Sequence, residues 1–309
     1  IRLEGDTIAE VGEQLGQADI EFGDNCCIFA GMGDIHIHAR DDVSETQTYK
    51  EDFCTAAAAA VNGGVVQVAD MPNNPVAPID DASYREKQAH LDRRDVPIQI
   101  TLYAGIGPGT RPLSFAVPYK AYMGPSVGDL FFTTLAQLDE TLSHYRGQCV
   151  SFHCEDPELL EQHKTAATHE ERRPAECEIS ATRFALQMIE KYELKGKLCH
   201  YSVGEGLPLI RAARERGLNV TCEVTPHHLY YDTSDITDDN RGRMQMNPPL
   251  RSLEDRKAML AALREGTLDY LATDHAPHTL EENLQGISGQ PHLDTYGAFA
   301  TWLSADQGF

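Results

Sequence analysis

Short apolar runs rich in β-branched residues alternate with longer helical patterns through most of the 309 residues. Eight runs read as strands, at 34–39, 65–69, 98–104, 117–122, 150–153, 197–202, 219–224 and 268–273. Between most of them lie helical stretches such as "EDFCTAAAAAVNGG", "DDASYREKQAHLDRR", "SATRFALQMIEKYE" and "SLEDRKAMLAALREG". Several such stretches end in Gly, the usual stop after a helix. A strand, a crossover helix and a second strand pair in parallel, so the rhythm predicts an α/β fold. Eight units predict a closed (β/α)8 barrel of TIM type over residues 31–309. An open doubly wound sheet is the runner-up. It should carry a Gly-rich phosphate turn after its first strand, and no G-x-G-x-x-G stands there.

Two stretches depart from the rhythm. "GIGPGTRPLSFA", at 105–116, is too short and too rich in Gly and Pro for a crossover helix. The third barrel helix is therefore expected to be short or missing. Residues 1–30 read as short strands and turns, a small β-element in the manner of a partial β-sandwich.

A hydrophobic fraction of 41% and a charged fraction of 24% are those of an ordinary globular protein. No apolar run approaches the ~20 residues of a membrane span. The opening "IRLEGDTIAEVGEQ" has neither the basic flank nor the apolar stretch of a secretory signal, so the cytoplasm is expected. Net charge is −22, from 48 acidic and 26 basic residues, which disfavours nucleic acid or an anionic membrane as partner and favours a small molecule. Acidic excess with Lys scarcer than Arg hints at a high-salt cytoplasm, although solubility explains the charge as well. The eight cysteines (26, 27, 54, 149, 154, 177, 199, 222) include no C-x-x-C pair and read as free, mostly buried thiols.

Active sites of barrels lie at the C-terminal ends of the strands, and the polar residues of this chain gather there. "GDIHIHARDD" puts His36, His38 and Arg40 at alternate positions, which share one face of a strand. "DMPNNP" brings Asn73 after the second strand, and "VPYKAYMG" brings Lys120 on the fourth. His153 ends the fifth, His200 the sixth, and "ATDHAPH" supplies Asp274 and His278 at the eighth. Singly, each has a bland reading: a lone strand His is more often a hydrogen-bonded core residue, and a lone Lys a side chain that snorkels. Four His, an Asp and a Lys at the same end of successive strands point instead to a common cavity. Nitrogen and oxygen donors without thiolates suit Zn²⁺, Mn²⁺ or Co²⁺. Cys154 and Cys199 adjoin His residues but point to the opposite face and read as packing. His227 and His228, in "TPHHL", are weaker candidates.

Taken in order, H-x-H-x-R, M-P-N, the strand-four Lys, H-C-E-D, H-x-S, N-P-P-L and D-H-A-P-H resemble the cyclic-amidohydrolase branch of the amidohydrolase superfamily, and within it dihydroorotase. The resemblance implies two divalent cations, with Zn²⁺ the expected ion. His36, His38 and Asp274 would hold the more buried one and His153 and His200 the second, with Lys120 bridging them as a carbamate formed with CO₂. It also implies that Asp274 is the catalytic acid and base, and that Arg40, Asn73 and His278 hold the substrate's carboxylate, with Asn247 near the substrate. The implied reaction is the reversible hydrolysis of L-dihydroorotate to N-carbamoyl-L-aspartate in pyrimidine synthesis. A homo-oligomer and an association with aspartate transcarbamoylase are implied as well. The chain departs from the family pattern in having "DDV" where Pro-Gly commonly follows the strand-one motif. The family also usually continues past residue 309, so either the chain is truncated or its β-element is built from the N-terminal segment alone. The rival readings are a hydantoinase or allantoinase, whose substrates lack the ring carboxylate, and a non-catalytic scaffold subunit.

Overall fold

The computed structural model describes residues 1–26, 28–125 and 130–309, so Cys27 lies outside the described residues. Two compact units divide the chain, Ile1–Ala30 and Gly31–Phe309. In the first, β1 (Arg2–Glu4) and β2 (Thr7–Glu10) pair antiparallel. Gly5 between them takes φ 60°, the left-handed conformation a tight turn requires.

The second unit is an α/β structure of parallel sheets. Its strands are β3 (Met32–Ile37), β4 (Val65–Asp70), β5 (Gln99–Leu102), β6 (Ala104–Ile106), β7 (Tyr119–Tyr122), β8 (Cys149–His153), β9 (Lys195–Leu198), β10 (Val220–Val224) and β11 (Tyr270–Leu271). One sheet runs β3-β4-β5 and the other β6-β7-β8-β9-β10-β11, all neighbours parallel. The run expected at 98–104 is thus two short strands parted by Tyr103, where pairing passes from one neighbour to the next. Tyr103 N donates to Asp70 O, and Ala104 N to Pro118 O. The strand expected to begin at 117 starts at Tyr119, because Pro118 has no N–H to give the ladder. At the far end, Ile37 of β3 pairs in parallel with His275, just past β11.

Helices cover the intervals: α1 (Phe53–Asn62), α2 (Asp81–Asp92), α3 (Leu135–Leu142), α4 (Pro157–His163), α5 (His169–Arg172), α6 (Ala175–Tyr192), α7 (Leu207–Glu215), α8 (Pro226–Tyr230), α9 (Leu253–Arg264), α10 (Leu280–Leu284) and α11 (Tyr296–Ala305). Their starts are written locally. Asp52 and Asp80 form capping boxes with Thr55 and Ser83, and Thr134 and Ser252 each accept from a first-turn N–H. Residues 107–118, all described, hold no helix. That loop is pinned by tyrosines instead: Leu113 N donates to Tyr119 Oη at 2.8 Å, and Tyr145 Oη to Thr110 Oγ1 at 2.8 Å.

From β6 to β10 nearly every strand residue is buried, so both faces of these strands are covered. Ile37, Phe53, Leu102, Tyr119, Phe152 and Leu198 are among the fully buried side chains of one continuous core. Gly63, closing α1, lies against the backbone of Leu293, whose carbonyl oxygen would be 2.0 Å from an added Cβ. The seven described cysteines are free, and Cys154, Cys177, Cys199 and Cys222 are buried. No helix among the described residues is long and apolar enough to cross a membrane.

Candidate metal centre

Parallel strands bring their C-terminal ends to one side, and the polar residues singled out from the sequence meet there. Nine of the ten (His36, His38, Arg40, Asn73, Lys120, His153, His200, Asn247 and Asp274) line one cavity of about 40 Å³. The tenth, His278, touches it through Arg40, whose Nη2 lies 3.0 Å from His278 Nε2. His36, Lys120 and His153 stand within strands, whereas His38, Arg40, Asn73, His200 and Asp274 lie one to three residues past a strand end. Three of the latter take left-handed backbone: Arg40 at φ 57°, His200 at 38° and Asp274 at 50°. Arg40 therefore reaches the pocket through a turn, not through the alternation of an extended strand. Such conformations cost about 1–3 kcal/mol each for residues with a Cβ and cluster at functional sites.

The hydrogen bonds orient the donors. His36 Nδ1–H donates to Glu223 Oε1, and His38 Nδ1–H to Asn73 Oδ1 at 2.7 Å. Each ring's Nε2 is left with its lone pair, and both face Asp274 Oδ1, at 3.2 Å and 3.0 Å. Three electron-rich atoms thus converge with no proton to share, an arrangement that a cation resolves. Across the cavity, His153 Nε2–H donates to Glu155 Oε2 at 2.8 Å, turning Nδ1 toward His200 Nε2 at 2.8 Å. The Lys120 amine is fully buried and, with His200 Nδ1, has no hydrogen-bond partner among the described residues. An orphaned buried amine is costly unless another group completes it.

Electrostatics agree with ligand duty. Burial, and next Lys120, push His36 down to about 4, against the pull of Glu223 and Asp274. Burial also lowers His38 and His153 and drives His200 far down, so all four rings are neutral, as metal ligands must be. Burial works to raise the Asp274 carboxyl, but the positive charge that His36, and next His38 and His200, take up on acidification holds it well below the usual range.

Several participants escaped the sequence reading. Glu223 is fully buried and joins His36, the His200 amide (3.2 Å) and Lys197 Nζ (2.6 Å). Tyr122, two residues from Lys120 on the same strand face, lines the cavity with a buried hydroxyl that has no partner among the described residues. Cys199, read as packing, brings its sulfur within 4.8 Å of donor atoms of His36 and Glu223. Asn73, expected at the substrate, spends its oxygen on His38 and keeps its NH₂ to offer. His227 and His228 are buried outside the cavity lining.

No family model matches the chain. Among solved structures it resembles an L-hydantoinase (dihydropyrimidinase) from Arthrobacter aurescens, with TM-score 0.75 at 23% identity, covering 90% of this chain and 66% of that one. A D-hydantoinase gives TM-score 0.78 at 22% identity, over 91% and 67%. At that identity the likeness carries the fold. The class, a metal-dependent cyclic amidohydrolase, is shown by relatives in sequence. A dihydroorotase of Fusobacterium nucleatum is 33% identical over 304 residues, 93% of this chain and 69% of its own length. One of Brevibacillus brevis is 33% identical over 314 residues, 94% and 71%. The chain belongs to the dihydroorotase family.

Proposed function

We propose that the chain catalyses the reversible, metal-dependent hydrolysis of L-dihydroorotate to N-carbamoyl-L-aspartate, a step of pyrimidine biosynthesis, in the cytoplasm. The observation that carries this reading is the convergence of His36, His38 and Asp274 lone pairs beside the buried, unpartnered Lys120 amine. On this reading His36, His38 and Asp274 hold one cation and His153 and His200 a second. Lys120 would serve both once its amine adds to CO₂ and releases a proton, because the carbamate has two oxygens that share one negative charge. Zn²⁺ suits these donors. Bound there, the cations would acidify a water and polarise the ring amide carbonyl.

The remaining work falls to the chain. Asp274, with Oδ1 directed at His36 and His38, has Oδ2 to take the water's proton and pass it to the departing ring nitrogen. Arg40, His278 and the Asn73 amide hold the substrate carboxylate, for which a guanidinium offers paired donors. Asn247, whose buried Oδ1 has no partner among the described residues, accepts from a ring N–H. The pairing from β3 round to β11, with Ile37 meeting His275, supports a closed (β/α)8 barrel lacking its third helix, and residues 1–30 are read as part of a β-sandwich. Homo-oligomerisation and association with aspartate transcarbamoylase complete the proposal.

The test is a turnover panel of dihydroorotate, hydantoin and allantoin with the metal-loaded protein. Dihydroorotate should be preferred by at least about tenfold in kcat/KM, because an unmatched Arg40 costs the uncharged rings about 1.5–3 kcal/mol. Preference for hydantoin would move the chain to the hydantoinase reading, and no turnover of any substrate to the scaffold reading.

A further inference from the structure

His278 stands between two cations. Arg40 Nη2 is 3.0 Å from Nε2, and Lys50 Nζ is 3.2 Å from Nδ1. Neither cation can accept a hydrogen bond, and a neutral imidazole has one acceptor nitrogen and one N–H. Both contacts therefore cannot be hydrogen bonds at once. Burial, then Arg40 and Lys50, push the ring down to about 3, so a second proton does not enter. One nitrogen must carry its hydrogen toward a cation, or toward something that comes between.

The two ends of the ring differ in what surrounds them. At Nδ1, Lys50 is held fast. Its Nζ pairs with Glu282 Oε1 at 2.9 Å, and its side chain is 7% exposed. Glu282 is in turn anchored by the Tyr49 hydroxyl at 2.7 Å and by the Thr279 N–H at 3.0 Å, part of the cap that starts α10. The other acceptor near Nδ1, Glu282 Oε2, is farther away at 3.5 Å. At Nε2 the one hydrogen-bonding neighbour among the described residues is Arg40, which lines the cavity.

We propose that Lys50, pinned by Glu282, is a positioning residue that makes Nδ1 of His278 the acceptor and so places the ring's single proton on Nε2, directed at an anionic group bound between His278 and Arg40. The inference rests on the reading of Arg40 and His278 as holders of the substrate carboxylate. A carboxylate arriving there accepts from Nε2–H and from the guanidinium together, and the opposed donors become a matched pair. Without Lys50, Nδ1–H would turn to Glu282 and Nε2 would present a lone pair to the incoming anion.

The experiment compares zinc-loaded wild type with Lys50→Met and Lys50→Arg. Protonation of each ring nitrogen is read from ¹⁵N shifts, with the His278 signals assigned by their loss in His278→Asn. The expected result is Nε2–H in wild type and a shift toward Nδ1–H in Lys50→Met. KM for dihydroorotate should rise about tenfold with kcat within about twofold, and Lys50→Arg should recover both the wild-type tautomer and most of the affinity. An unchanged tautomer in Lys50→Met, or Nδ1–H in wild type, overturns the inference, as does an unchanged KM. Should wild type fail to turn over dihydroorotate, the functional reading falls while the ¹⁵N comparison still decides the role of Lys50.

Discussion

Arg40 shows how one side chain sets what a pocket accepts. It is 3% exposed, bonded to the Pro277 carbonyl at 3.3 Å, and carries its charge into a cavity that imidazoles, amides, the Lys120 amine and the Asp274 carboxylate also line. A buried guanidinium at the rim of an otherwise cation-binding pocket has one evident use, to match an anionic substituent of the substrate. Arg40→Ala should raise KM for dihydroorotate by about 10- to 100-fold, since a charge-assisted hydrogen bond contributes ~1.5–3 kcal/mol. Bound metal should be unaffected, because Arg40 is not among the donors. Steady-state kinetics beside metal analysis checks this; unchanged KM would remove Arg40 from substrate binding.

At the scale of elements, close packing and buried hydrogen bonds locate the sensitive points. Gly63 has φ −79°, open to any residue, so its constraint is space alone: the Leu293 carbonyl sits where a Cβ would go. Gly63→Ala should cost about 1–3 kcal/mol by forcing α1 from its neighbour, read as a lower urea midpoint with the slope unchanged. An unaltered midpoint would mean that the contact yields freely. His228, after β10, receives a hydrogen bond from Thr225 Oγ1 at Nδ1 (2.7 Å) and donates from Nε2 to Pro248 O (3.1 Å), which uses the neutral ring completely. Burial, and then Arg251, push it down to about 4. Its unfolded value is about 6.5, so between these limits the unfolded chain binds a proton that the fold refuses. The stability this group contributes is full above pH about 6.5 and is lost as the pH falls toward 4. His228→Gln should flatten the acid-side fall in stability by an amount on the order of 3 kcal/mol. Denaturation at pH 7 and pH 4 checks it, and equal acid sensitivity in both proteins would contradict it.

The same elements show what could be read beforehand. Strand-end residues were legible because His36, His153 and Asp274 interrupt apolar runs, and a polar group in such a place needs a reason. Glu223 was not, because in "VTCEV" the period-2 pattern assigns Thr221 and Glu223 to a solvent face. A parallel sheet covered on both sides has no such face, and Glu223 is buried against His36. Lys50 escaped because its partner Glu282 lies 232 positions away and only folding joins them. The helix-free connection at 107–118 was visible as a run of Gly and Pro, whereas the handover of pairing at Tyr103 was not, since it depends on which neighbours flank the strand.

For the whole molecule, the account rests on residues from β3, β7, β8, β9 and β11 and the turns beyond them forming one centre for two cations. The most direct measurement is dihydroorotate turnover as zinc is returned in known amounts to chelator-treated protein in bicarbonate-containing buffer. The account predicts activity that climbs with added metal and levels off near two equivalents per chain, with Lys120→Ala inactive throughout and retaining less metal. Turnover that persists in the stripped protein, or a wild type that binds zinc at this centre and still leaves dihydroorotate intact, would contradict it.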